Sequence, residues 1–121
     1  MGASNEGSQF ERGIAHFNAG EFFEAHEVWE ELWLHAPLQE KPFLQGIIQI
    51  AAAFHHLQRG NERGAKSLLA AGLAKVRGYS ALRNGIDVPR LCDDVQAWLE
   101  TLAGARRLTD ARLPTIQRAR A

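Results

Sequence analysis

The sequence predicts an all-α protein, a compact five-helix bundle made of two tetratricopeptide-like helical hairpins and a C-terminal helix. Three observations carry that expectation. Apolar residues recur at helical spacing in five successive segments. Helix stops (Gly20, Pro37, Gly60, Gly85, Gly104) separate the segments, and helix starters (Pro42, Asn61, Asp87, Pro89) follow several of them. No segment shows the period-two alternation of a half-buried strand. A chain of 121 residues is the size of one domain, so residues 1–121 are expected to form a single helical unit. Residues 1–8 read as a flexible lead, and residues 105–121 as an Arg-rich strap or tail.

The first helix is expected from Gln9 to Asn18, with Phe10, Ile14 and Phe17 on one face and Gly20 as its stop. The second runs from Glu21 to Leu34. Its apolar face is Phe22, Ala25, Trp29, Leu32 and Trp33, and Pro37 disfavours helix at the residue before it. By periodicity Trp29 and Trp33 are core residues. The third, from Pro42 to about Arg59, has apolar residues most of the way round and should be the central, buried helix. The fourth opens at Asn61 or Glu62 and extends to Tyr79 or as far as Leu82. The fifth is capped by Asp87, has Pro89 in its first turn, and carries Leu91, Val95, Trp98, Leu99 and Leu102. Beyond it, the stretch Leu113-Pro114-Thr115-Ile116 could strap apolar side chains onto the bundle.

An internal repeat is present at an offset of 40 residues. Under it His16 meets His56, Gly20 meets Gly60, Ile14 meets Phe54 and Trp29 meets Leu69. Two helix–Gly–helix units of similar build fit the supersecondary element of helical repeat proteins. Two units are fewer than a solenoid needs, so a compact bundle is expected.

Composition narrows the function classes. Fourteen bases balance fourteen acids, the hydrophobic fraction is 45%, and the one cysteine, Cys92, has no intrachain disulfide partner. A cytoplasmic protein is the default for such a chain. No apolar run is long enough for a membrane span, and Met1 to Gln9 shows no apolar core of a secretory leader. The neutrality is a cancellation. Residues 1–40 hold eight carboxylates and one base, and residues 41–121 hold thirteen bases and six acids. Either the two halves neutralise each other or the acidic half marks a site. The C-terminal arginines (Arg106, Arg107, Arg112, Arg118, Arg120) have no interleaved aromatics, so no nucleic-acid partner is expected.

The candidate site lies on the second and third helices. At about 100° per residue, His26 and Glu30 are neighbours at the edge of the apolar face, and Glu27 lies further out. On the third helix, Gln45, Gln49 and His56 form a polar stripe within about 40° on an otherwise apolar surface. A short loop joins the two helices, so antiparallel packing would gather His26, Glu27, Glu30, Gln45, Gln49 and His56 into one cluster. Three roles remain open for it. It can be a buried hydrogen-bond network that fixes helix register. It can be a pocket for a small molecule or a protein partner. Or His26, Glu30 and His56 can hold a divalent metal, with Glu27 as acid–base group of a hydrolase or oxidoreductase. The stretch His26-Glu27-x-x-Glu30 lacks the second histidine of zinc metalloproteases. A binding or adaptor module leads, because no catalytic signature is present. His55 reads as a core-edge residue, His16 and His35 as helix-flank residues, and Cys92 as structural. A homodimer is compatible with a small bundle carrying three Trp.

The residues Phe17-Asn18-x-Gly20-x-Phe22-Phe23-Glu24-Ala25-His26-Glu27-x-x-Glu30-x-x-Trp33 resemble family 309 of the domains of unknown function. The resemblance continues through Phe43-Leu44-Gln45-Gly46-x-Ile48-Gln49, His56 and Gly60-Asn61-x-x-Gly64-Ala65. It runs from about Ile14 to Leu73 and rests on several separated motifs in the right order. It implies a small all-helical protein and no particular activity. It places His26, Glu27, Glu30, Trp33, Gln45, Gln49 and His56 on motif positions.

Overall fold

In the computed structural model, which describes residues 2–79, 85–104 and 113–117, five helices follow one another and each packs on the next. They are α1 (Gly2–Asn18), α2 (Phe22–Leu34), α3 (Lys41–Gln58), α4 (Glu62–Val76) and α5 (Val88–Leu102). Side chains are described from residue 9 onward within α1. No strand occurs among the described residues. No described helix is long and apolar enough to cross a membrane.

The expected boundaries hold for α2, α3 and α5 to within a residue. At the start of α5, Asp87 accepts from the Arg90 N–H at 3.1 Å and Pro89 stands in the first turn. Two boundaries differ. α1 begins at Gly2, seven residues before the predicted start, because Gly2 to Ser8 is polar and carries no apolar stripe to read. α4 ends at Val76, short of Tyr79. There the chain turns tightly, the Tyr79 N–H donating to the Val76 carbonyl, and the Tyr79 ring meets Phe43 of α3 edge-on at 5.1 Å. Seating that ring outweighs another helical turn through Gly78. The alternative end at Leu82 lies outside the described residues, as do the five C-terminal arginines.

The repeat extends to the hydrogen bonds. After α1, the Glu21 N–H donates to His16 O at 2.9 Å and the Gly20 N–H to Phe17 O at 3.0 Å; Gly20 sits at φ 78°. After α3, the Asn61 N–H donates to His56 O at 2.8 Å and the Gly60 N–H to Leu57 O at 3.0 Å; Gly60 sits at φ 81°. Both are Schellman turns, in which a left-handed residue lets the chain fold back and satisfies the last carbonyls of the helix. Glycine takes that conformation without the penalty other residues incur.

As predicted, α3 is the central helix, packed between α2 and α4. A run of aromatic contacts joins four helices through the core: Phe17 to Phe22 at 4.9 Å, Phe22 to Phe54 at 5.2 Å, and Phe54 to Trp98 at 5.5 Å. Trp29 is fully buried, and its indole N–H donates to the Phe10 carbonyl at 3.1 Å. The ring lies flush on α1 because residue 13 is glycine. A Cβ there would stand 1.9 Å from the indole nitrogen. On the other side, α3 and α4 approach backbone to backbone at Gly46 and Gly72. A Cβ on Gly72 would lie 2.7 Å from the Gly46 carbonyl oxygen. The predicted strap is also present: Pro114 and Ile116 are buried, while Leu113 is exposed.

Two outcomes follow from this packing. Gly72→Ala should destabilise the fold by about 1–3 kcal/mol in urea denaturation, although alanine is the better helix former by about 1 kcal/mol. In α5, burial raises the Asp94 carboxyl above its ordinary value of 3.8, Arg90 opposes the rise and Asp93 adds to it. The folded state therefore holds this proton more tightly than the unfolded chain. Its stabilising contribution is full below the unfolded value and is lost as pH rises through the folded one. Asp94→Asn should match wild type in urea midpoint at about pH 3 and exceed it slightly at about pH 7.

Candidate functional site

α2 turns its core face inward through Phe22, Ala25 and Trp29. At about 100° per residue, the sector beside that face holds Trp33, His26, Glu30, Phe23, Leu34 and Glu27 in angular order. That sector borders α3, since the Phe23 ring lies 5.2 Å from the His55 ring. It is the surface on which the sequence places its candidate residues.

His26 is half-buried. Its Nε2 lies 3.3 Å from Glu30 Oε2, one turn along, and its Nδ1 lies 3.5 Å from Glu27 Oε1. Both carboxylates are more than half exposed, at 58% and 55%. Nδ1 itself is buried and makes no hydrogen bond, because 3.5 Å is beyond useful hydrogen-bond length. Phe23 stacks over the imidazole at 6.5 Å and 20°. Lower on α2, the Lys41 ammonium stands 4.2 Å from the Trp33 ring centroid, a cation–π contact. The Trp33 Nε1 is buried without a partner, and so is Oε1 of Gln49 on α3. α2 and α3 run antiparallel with Phe22 level with Phe54, so residue 26 comes level with residues 49 and 50.

The structure brings His26, Glu27 and Glu30 together, whereas Gln49, at about 100° per residue, lies about 120° round α3 from His55, the residue that meets α2, and on the side of Gly46, which packs on α4. Nor does the structure bring in the other two predicted members. Gln45 is exposed. His56 belongs to the turn between α3 and α4, where its Nδ1 accepts from Asn61 Nδ2 at 3.2 Å. Asn61 also caps α4, its Oδ1 accepting from the Gly64 N–H at 3.0 Å. At the equivalent turn after α1, His16 Nδ1 donates to Glu21 Oε1 at 2.9 Å. The two histidines related by the repeat thus do the same job, bridging a helix end to the start of the next helix. His26 and His56 are separated by Phe23 and His55, whose rings link them in steps of 6.5, 5.2 and 6.3 Å. Among the described residues, no group of three or more His, Cys, Asp or Glu could hold a metal ion.

Sequence reasoning missed Phe23, His55 and the exposed Leu34 as parts of this face. Phe23 carried a signal, since adjacent helical residues are about 100° apart and cannot both face the core. Trp33 is half-buried under Lys41, not a full core residue. All five carboxylates from Glu21 to Glu31 are exposed. The face can attract cations, exchange hydrogen bonds through His26 Nδ1 and Trp33 Nε1, and bury apolar groups at Phe23 and Leu34. Cys92 lies elsewhere. Burial pushes its thiol up, Arg77 opposes this and Asp93 adds to it, so it is an inert core thiol.

Residues 10–68 match the model of a family described as "Domain of unknown function (DUF309)". An uncharacterized protein of Aquifex aeolicus (strain VF5) is 26% identical over 109 residues, covering 89% of this chain and 32% of the relative. The uncharacterized protein YpuF of Bacillus subtilis (strain 168) is 34% identical over 85 residues, covering 68% of this chain and 49% of the relative. The chain therefore spans half or less of the length of these relatives. The matched segment contains the whole α2–α3 face.

The turn assignment for His56 is testable. Asn61→Ala should cost about 1 kcal/mol in thermal or urea unfolding, the worth of a lost N-cap. Asn61→Asp should match wild type in the same measurement, because aspartate caps a helix about as well as asparagine.

Proposed function

We propose that this chain, which over residues 10–68 belongs to the DUF309 family, is a binding module that takes a basic, apolar-tipped protein segment on its α2–α3 face. One observation carries this reading. Two buried side-chain atoms on this face of α2, His26 Nδ1 and Trp33 Nε1, make no hydrogen bond among the described residues. Each such atom costs about 1–3 kcal/mol when left unmet. His26 and Trp33 are half-buried residues, so small side-chain rotations bring these atoms to a partner.

The surroundings specify the partner's chemistry. Glu27 and Glu30 favour a Lys or Arg at the centre, and exposed Phe23 and Leu34 favour apolar residues on either side. Two such faces pressed together would set carboxylate against carboxylate, which favours a different chain over a second copy. The two hairpins are of the tetratricopeptide-like kind, a build suited to displaying a helix face to a peptide. A lone buried Cys92 is in keeping with a cytoplasmic setting.

Selection from a random twelve-residue peptide library displayed on phage tests this. Enriched sequences should carry Lys or Arg flanked by apolar residues. Their affinity should fall at least roughly tenfold in Phe23→Ser and in Glu30→Lys, with helicity unchanged by circular dichroism. Enriched peptides without basic residues, or equal binding by both variants, would contradict the reading.

A further inference from the structure

A second surface is defined by what already occupies it. The carboxamide of Asn18, the last residue of α1, pairs with the backbone of residue 116. Its Nδ2 donates to the Ile116 carbonyl at 3.1 Å, and its Oδ1 accepts from the Ile116 N–H at 2.7 Å. The Asp87 N–H, just before α5, donates to the Gln117 carbonyl at 2.7 Å. Residues 113–117 are neither helix nor turn, and Ile116 turns both its N–H and its C=O to one side, as a residue of an extended chain does toward a neighbouring strand. Three of its backbone polar groups are read by two separate parts of the bundle. Its side chains are read as well: Pro114 is buried, and Ile116, two residues on, is only 4% exposed. Thr115, between them, accepts from Gln117 Nε2 at 2.6 Å, a contact within the segment. Leu113 rests by Gly20, its Cδ1 3.8 Å from where a Cβ would stand.

A carboxamide that pairs with both the N–H and the C=O of one residue offers what a neighbouring strand offers. It holds an extended chain whatever its side chains. Specificity then comes from the two buried positions. We propose that the cleft formed by Asn18, Gly20 and Asp87 is a recognition site for an extended peptide. The peptide carries proline and, two residues later, an aliphatic side chain, and residues 113–117 fill the cleft in cis. Asn18 and Gly20 fall within the family-matched segment, whereas the occupant falls outside it. A tethered occupant competes at an effective concentration of about a millimolar. A separate protein segment with the same backbone contacts and better-fitting side chains displaces it. The site is distinct from the α2–α3 face and does not rest on that reading.

The test uses the full chain and a fluorescein-labelled peptide with the sequence of residues 111–119. Ile116→Asp puts a charge in a closed position and should release the tethered segment. By fluorescence anisotropy this variant should bind the peptide at least roughly tenfold more tightly than wild type. Adding Asn18→Ala should weaken that binding at least roughly tenfold. Equal binding by wild type and a helical Ile116→Asp, or no effect of Asn18→Ala, would overturn the proposal. Should Ile116→Asp fail to fold, hydrogen exchange on wild type decides. Excess peptide should strip protection from the Ile116 amide while the α3 amides stay protected, and continued protection at millimolar peptide would overturn it. A wild-type dimer that Asn18→Ala dissociates would place the occupant on a second copy and overturn the assignment to a separate partner.

Discussion

The rest of the structure depends on the close approach of α3 and α4. Gly46 and Gly72 remove the side chains that would hold the two backbones apart. Ile50 and Val76 pack around the gap so formed. With α4 seated so closely on one flank, α3 turns its larger side chains toward α2 and α5. The aromatic run from Phe17 through Phe22 and Phe54 to Trp98 is the result. α1 is added by the same device on a smaller scale, since Gly13 lets the Trp29 indole lie against its backbone. Glycines at helix crossings thus set the spacing, and aromatics fill what the spacing leaves.

The polar face is built differently. α2 meets α3 through rings, Phe22 against Phe54 and Phe23 against His55, whereas α3 meets α4 through glycines. Half-buried His26 and Trp33 sit along the seam, each with one buried nitrogen that makes no hydrogen bond. A core network would have closed these bonds, because buried polar groups in stable interiors are nearly always paired. The two Schellman turns do close theirs. At those turns, His16 and His56 each find a partner at the start of the next helix. Histidines of similar burial therefore serve two ends: the repeated pair joins helices, and His26 sits between two exposed carboxylates of its own helix.

Much of this was legible in the chain. Apolar spacing located all five helices, the offset of 40 residues paired the two turns down to their hydrogen bonds, and Pro114 and Ile116 signalled the strap. The polar cluster was legible only in part. Helical angles placed His26 beside Glu30 correctly, since both lie on one helix. They also aligned Gln45 with Gln49 and His56, but an angle within one helix does not tell how far along the neighbour reaches. Asn61, five residues beyond His56, proved the nearer partner. The contact between Phe23 and His55 escaped notice because it joins two helices and depends on the register between them. The Asn18 clamp was invisible for a similar reason: its partner lies 98 residues away, and the bond is to backbone, which no side-chain pattern records.

As a binding face, the α2–α3 seam with its unmet polar atoms differs from the interior in what happens to it when a partner arrives. The indole N–H groups of Trp29 and Trp33 report on it directly, one bonded to the Phe10 carbonyl in the core and the other buried without a partner on the seam. A heteronuclear NMR spectrum of both indoles, followed during titration with a basic, apolar-tipped peptide, separates the two cases. The Trp33 indole resonance should move on binding while that of Trp29 stays in place. Movement of Trp29 with Trp33 unchanged would contradict a binding role for the seam.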